Sequence, residues 1–223
     1  MQMAADDGTD ACSAMRELTR RYAFPVYAYL RRSGHPPAMA AGISRAFLQA
    51  LLQRFRETDR PPRGRFRRYL LEQLHEFLNR DWRDVVEGAP EGPALPADIE
   101  EHYQEERSAS SPEQVYHAAF AQEIIGRAFR RLRAEASRSG HGDMFEALEP
   151  YLEREAAAGE YAELSRSLAM RPLSVVVALK RLRDRFRDMV SEELADTVTS
   201  AEELAAEQAA LYDVLHSAHE DSP

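Results

Sequence analysis

The residues best placed to do chemistry lie between Tyr161 and Val190. Tyr161 to Leu168 reads as a short helix, Ala169-Met170-Arg171 as a tight turn, and Pro172 as the first residue of a second helix. Proline is tolerated at that first position because its missing N–H would be unbonded anyway. On the second helix Val175, Leu179, Leu182, Phe186 and Met189 form one apolar stripe. The other side carries Val177, Lys180, Arg181, Asp184 and Arg187, flanked by Arg183 and Arg185. This is the division a helix-turn-helix requires: one side packs on its scaffold and the other enters the major groove. Lys180, Arg181, Arg183 and Arg187 would hold phosphates, while Arg171, Ser174 and Val177 near the helix start would reach base edges or a thymine methyl. Two amphipathic helices joined by a short turn also occur in helical bundles whose Arg-rich faces are merely solvated.

The charge is arranged in blocks that the net value of −9 conceals. Residues 1–15 carry three acids and no base. Residues 16–83 carry 15 Arg against 6 acids, a net +9, and residues 84–126 return to −9. Residues 127–190 are +3, and residues 191–223 carry 9 acids and no Lys or Arg. Basic segments favour polyanions, and a whole-chain charge misses them. Cys12 is the only cysteine, which excludes an internal disulfide and a cysteine-based zinc site. The stretch from Met1 to Asp10 has neither the basic nor the apolar region of a secretory leader, and no apolar run reaches membrane-spanning length. A cytoplasmic, nucleoid-associated protein is the expectation.

The elements that must position these residues read as helices throughout, giving an all-α chain of two small domains. Leu18, Tyr22, Val26, Tyr29 and Leu30 define a first helix with a kink at Pro25, ending at Gly34-His35-Pro36-Pro37. Ile43, Phe47, Leu51 and Phe55 define a second. Phe66, Tyr69, Leu70, Leu74, Phe77 and Leu78 define a third running to Trp82. The expected division is an acidic tail at 1–15, a basic domain at 16–84, a solvated acidic Pro/Gly linker at 85–112 with a short helix near 99–107, a second domain at 113–198, and an acidic helix and tail at 199–223. Within the second domain, helices are expected over about 112–137 and from Met144 to Leu152, the latter ended by Gly159.

Order and spacing together make the chain similar to the extracytoplasmic-function sigma factors of bacterial RNA polymerase. Arg21-Tyr22, Val26 to Arg32, Gly34-His35, Phe47-Leu48 and Leu51-Leu52 resemble the helices of their region 2 that grip the polymerase clamp. Arg63-Gly64-Arg65-Phe66-Arg67, with Phe77-Leu78 and Trp82, resembles the part that melts the −10 element. Tyr161 to Leu164 and Arg181-Leu182-Arg183 resemble the −35-binding helix-turn-helix, here 161–190. The resemblance implies no catalysis and no cofactor. Its implied partners are core RNA polymerase and promoter DNA, and its implied −10 contacts are Arg63, Arg65, Arg67, Asn79, Trp82 and Arg83.

The chain departs from that family in three places. Where relatives open the second helix with a dense acidic run facing the clamp, this chain has Ala38, Met39, Ala41, Gly42 and Arg45. By charge alone, docking on polymerase weakens. Phosphorylation by a Ser/Thr protein kinase would restore negative charge, with Ser44 and Thr58 as the candidate sites, Thr58 standing among Arg54, Arg56, Arg60 and Arg63. After Trp82 the sequence turns acidic rather than basic, and Arg171-Pro172 replaces the usual Ser-plus-acid helix start, removing a good N-cap.

Other chemistry finds little support. His216 and His219 stand three apart beside Asp213 and Glu220, a spacing more often incidental than metal-binding, and no metal site is expected. No phosphate-cradling glycine loop or nucleophile-and-base set occurs. The acidic C-terminal segment either shields the basic faces or keeps the chain dispersed in water, the second being the simpler expectation. The expected function is thus a factor that docks on core polymerase and directs it to promoters. The alternative is a stand-alone helix-turn-helix regulator, or a sigma-like interaction module without polymerase activity.

Overall fold

The computed structural model describes residues 3–57, 65–80, 82–88, 94–105, 111–152 and 154–220. Every regular element among them is helical, so the chain is all-α. No described helix is long and apolar enough to cross a membrane. The chain divides into two compact units, one of residues 1–123 with 197–223 and the other of residues 124–196. The division differs from the expected one in two respects. It falls inside a helix rather than in the acidic linker, and the C-terminal segment belongs with the first unit.

The first unit is built on α1 (Met3–Arg32), α2 (Pro37–Glu57) and α3 (Phe66–Leu78). From Tyr22 to Leu30 every side chain of α1 is buried, and Ile43, Phe47, Leu48 and Leu51 of α2 are buried with Leu70 and Leu74 of α3. Each large side chain of this kind stabilises the fold by about 1.5–3 kcal/mol on leaving water. Glu17 bridges Arg20 and Arg21 on the opening turns of that run, and the hydrogen bond from Arg20 leads in holding its carboxyl down at about 2. The first helix ends at Gly34, as its sequence indicates: Gly34 has φ +94°, its N–H donates to Arg31 O, and His35 N–H donates to Leu30 O. That pair of bonds is the Schellman closure, which needs a left-handed residue.

Two expectations for this unit are corrected. The third helix does not reach Trp82: α3 stops at Leu78, and Trp82 opens a separate short helix, α4 (Trp82–Gly88). The short helix expected near 99–107 forms as α5 (Ile99–Glu105), but it is docked on α1 rather than solvated. Ile99 is buried, the His102 ring stacks on Phe24 at 3.9 Å, and Glu100 accepts from Nε and Nη2 of Arg31 at 2.8 and 2.9 Å. Arg31, ahead of the Tyr27 hydroxyl and Gln104, holds the Glu100 carboxyl down at about 2. An isolated seven-residue helix is unstable in water; packing and this ion pair supply what propensity lacks.

The helix α6 (Pro112–Arg138) begins in the first unit and ends in the second. The second unit continues with α7 (Gly142–Leu148), a 3-10 turn at Glu149–Tyr151, α8 (Ala158–Ser167) and α9 (Pro172–Ala195). Gly159 lies in the first turn of α8 rather than ending the preceding helix. A second Schellman closure ends α6, with Gly140 at φ +72°, Gly140 N–H on Ser137 O and His141 N–H on Ala136 O. The chain closes with α10 (Ala201–Glu220), which packs in the first unit.

Candidate nucleic-acid interface

In the second unit α8 and α9 are joined by a tight turn. The Glu160 carboxylate accepts the Ala157 N–H at 2.8 Å and pairs with Arg154 at 2.6 Å, fixing where α8 starts. Arg154 leads in pulling that carboxyl down to about 2. The turn closes by a third Schellman arrangement, Ala169 N–H on Arg166 O and Met170 N–H on Ser165 O, tightened by the Ser165 hydroxyl donating to Met170 O. Here the left-handed position, φ +49°, is held by Ala169 and not by glycine. Arg171 then caps α9 with extended backbone, its carbonyl accepting the Ser174 and Val175 N–H groups, and Pro172 occupies the first helical position. No side chain caps this end, as the Arg-Pro start implies.

The two sides of α9 separate as its sequence indicates. Val175 and Leu179 are buried against Leu148 and Leu164. Met189 is buried against Ala128, Leu132 and Phe145, with Leu182 and Phe186 packed beside it. Arg171, Ser174, Val177, Lys180 and Arg181 are exposed, joined by Leu173 at 75%. An open apolar groove of about 630 Å³ runs beside this face, lined in part by Phe145, Leu173, Val177 and Arg181. Arg187 is exposed and pairs only with its neighbour Asp184 at 3.0 Å among its described contacts. Such an exposed pair is weak.

Arg183 is corrected. Its Nε and Nη2 donate to Tyr151 O at 3.1 and 2.8 Å, and Nη2 also donates to Arg154 O at 2.7 Å. It closes the 3-10 corner behind α8 and is not presented for phosphate contact. The arrangement is held by Arg127, 4% exposed, which donates to Glu193 at 2.8 Å, while Arg131 meets the same carboxylate at 2.9 Å. This pair ties α6 to α9.

The residues expected at a −10 element lie in the first unit. Arg63 lies outside the described residues. Arg65 and Arg67, at the start of α3, face Glu207 of α10. Asn79 is exposed at the end of α3, where its N–H donates to His75 O. Trp82 is half-buried, its ring edge-on to His35 at 5.9 Å, and the exposed Arg83 covers one ring face at 4.9 Å. The tryptophan therefore already carries a cation on a face that a base would stack on.

The opening of α2 is partly as expected. Ala38, Met39 and Arg45 are exposed. Ala41 and Gly42 are half-covered, and a β-carbon at Gly42 would touch Val86 of α4 at 3.4 Å. Ser44 is corrected: it is 0% exposed, and its hydroxyl has no hydrogen-bond partner among the described residues. No kinase reaches it while α2 is folded. Thr58 lies outside the described residues.

Two functional-looking carboxylates were not singled out from sequence. Glu207 falls at helical spacing between Leu204 and Leu211, and Glu193 continues the stripe of Leu182, Phe186 and Met189. An acid inside an apolar stripe is the available signal for a buried, paired carboxylate. No group of His, Cys, Asp and Glu capable of holding a metal occurs among the described residues. Compared with family models, with curated proteins and with solved structures, the chain matches none.

Proposed function

We propose that the protein is a promoter-specificity factor of the sigma type, acting in the cytoplasm on the nucleoid. It would dock on core RNA polymerase through the first unit and read duplex DNA with α9. The observation that carries the reading is the division of α9: Val175, Leu179 and Met189 buried, and Ser174, Val177, Lys180 and Arg181 exposed beyond a closed turn. Lys180 and Arg181 take phosphates, and Ser174 and Val177 read base edges and thymine methyls, with Leu173 adding apolar surface at the helix start. Arg65, Arg67 and Trp82 serve the −10 strand by phosphate pairing and stacking. The protein performs no catalysis of its own. Control by a Ser/Thr kinase narrows to Thr58, because Ser44 is buried. The neutral opening of α2 then makes polymerase docking dependent on added negative charge.

Transcription with purified core polymerase tests this. The unmodified chain is compared with Ala38→Asp, Met39→Glu and Thr58→Glu. Promoter-dependent initiation that rises with added acid supports a sigma factor restrained by missing charge. A chain that binds duplex promoter DNA but never core polymerase, whatever the variant, is instead a stand-alone helix-turn-helix regulator.

A further inference from the structure

We propose that α10 fills a site for nucleic-acid strand phosphates at the start of α3, so that the free chain competes with its own ligand. The proposal rests on the −10 role given above to Arg65 and Arg67. The Glu207 carboxylate lies at 3.0 and 3.1 Å from Nε and Nη2 of Arg67 and at 3.6 Å from Nε of Arg65. Its side chain is 3% exposed. Only Nη2 donates a hydrogen bond; Nε is close to the carboxylate but unbonded, so the carboxylate neutralises the guanidinium, as the anionic oxygens of a phosphodiester would, and leaves one buried donor for a better-aligned oxygen. A segment that only kept the chain dispersed would leave its acids in water. Glu202 and Asp213 of α10 do so, whereas Glu207 does not.

The placement is built into the fold. The Thr197 carbonyl accepts the Phe66 N–H at 2.8 Å, joining the approach to α10 directly to the first turn of α3. The helix then starts at a defined residue: Ser200 Oγ accepts the Glu203 N–H, and the Glu203 carboxylate accepts the Thr199 N–H at 2.8 Å and its hydroxyl at 2.9 Å. The Tyr116 hydroxyl donates to Arg67 O at 2.8 Å, fixing the arginine's backbone beneath the pair. Yet among the side chains of α10 that are described, over residues 201–213, the apolar anchoring is slender. Leu204 is half-buried and Leu211 buried, but between them stand Ala205, Ala206, Ala209 and Ala210, and Tyr212 is 53% exposed. Residues 199–223 carry six acids and no Lys or Arg. Glu207 supplies the charged part of this anchoring, and a strand of phosphates would compete for the same cations.

The experiment measures binding of the full chain to a fluorescein-labelled single-stranded DNA of about 20 nucleotides at fixed salt. The variants are Glu207→Gln, which removes the charge, and Ala206→Pro, which undocks the helix with every charge kept. Both should bind at least about tenfold tighter than the parent, and Arg65→Ala with Arg67→Ala added to Ala206→Pro should abolish the gain. Hydrogen exchange on the unmutated chain supplies a reading independent of any variant. Added DNA should speed exchange at amides of residues 200–212. Equal affinity of parent and both variants, a gain that survives loss of Arg65 and Arg67, or DNA binding that leaves α10 protected would each overturn the proposal. Core-polymerase transcription on the same proteins separates the two readings. Normal initiation without any gain in DNA binding removes the α10 proposal alone. A gain in DNA binding without polymerase docking removes the sigma reading alone.

Discussion

Glu193→Leu tests the scaffold beneath the candidate recognition helix. Arg127 is 4% exposed and Glu193 6%, and they meet at 2.8 Å, with Arg131 on the other carboxylate oxygen. Burial alone would raise the Glu193 carboxyl; Arg127 and Arg131 outweigh it and hold the group below its usual range. Removing the carboxylate leaves the Arg127 charge inside the unit without it, and breaking a buried pair on one side costs about 3–5 kcal/mol. That is a large share of the roughly 5–15 kcal/mol that stabilises an ordinary domain. Arg127→Met alone should cost a comparable amount. The double variant Arg127→Met with Glu193→Leu removes both desolvation costs and should recover most of the loss, ending within about 1 kcal/mol of the parent or above it. Urea unfolding followed by far-UV circular dichroism gives the four free energies. A Glu193→Leu cost below about 1 kcal/mol, or losses that simply add in the double variant, would refute the claim that this pair is dry and mutually dependent.

Further outcomes follow from the same geometry. Ala169→Gly should stabilise the second unit by about 0.5–1 kcal/mol, because the turn demands a left-handed residue there; a thermal midpoint that falls would contradict the φ of +49°. Ser44→Ala should be neutral or slightly stabilising, whereas Ser44→Asp should cost several kcal/mol and lower expression without activating transcription, since a carboxylate would be buried there without a described partner. Stability should fall in acid in two steps. Burial first, then Arg67 against the opposing pull of Glu113, lowers the His117 imidazole from 6.5 to about 4, so its contribution is complete above 6.5 and lost as pH falls toward 4. Glu100, lowered from 4.5 to about 2, contributes above 4.5 and is lost toward 2, an effect of about 1–2 kcal/mol after solvent screening. Urea midpoints measured across pH 7 to 3 should lose the first step in His117→Gln and part of the second in Glu100→Gln.

What the sequence made legible is local. The stripe on α9, the turn before Pro172 and the glycine stops at Gly34 and Gly140 all follow from neighbours three or four residues apart, and the helices form accordingly. The contacts that were not legible are distant ones. Glu100 reaches Arg31 across 69 residues, and Glu207 reaches Arg67 across 140. Composition made residues 85–112 look solvated because Pro, Gly and acids dominate it; Ile99 and the His102 ring nevertheless find partners on α1. Helical spacing alone puts Ser44 at the flank of the face that carries Ala38, Ala41 and Arg45, whereas the packing of α2 places it inside. Arg183 looked available because its partners are backbone carbonyls, which leave no mark in a side-chain pattern.

Gly42 limits the routes by which α2 could gain an acidic opening. A β-carbon there would meet a Val86 methyl at 3.4 Å, an ordinary contact, and α4 itself bears the exposed Asp84 and Glu87. A carboxylate at 42 would have to find room beside a helix that is itself acidic. Ala38 and Met39 stand in open water and accept a carboxylate with no rearrangement. The positions therefore differ in surroundings: 38 and 39 are exposed, whereas a side chain at 42 must pack beside Val86. A lineage or a design that moved this surface from neutral to anionic would change the exposed positions at lower cost than the half-covered one.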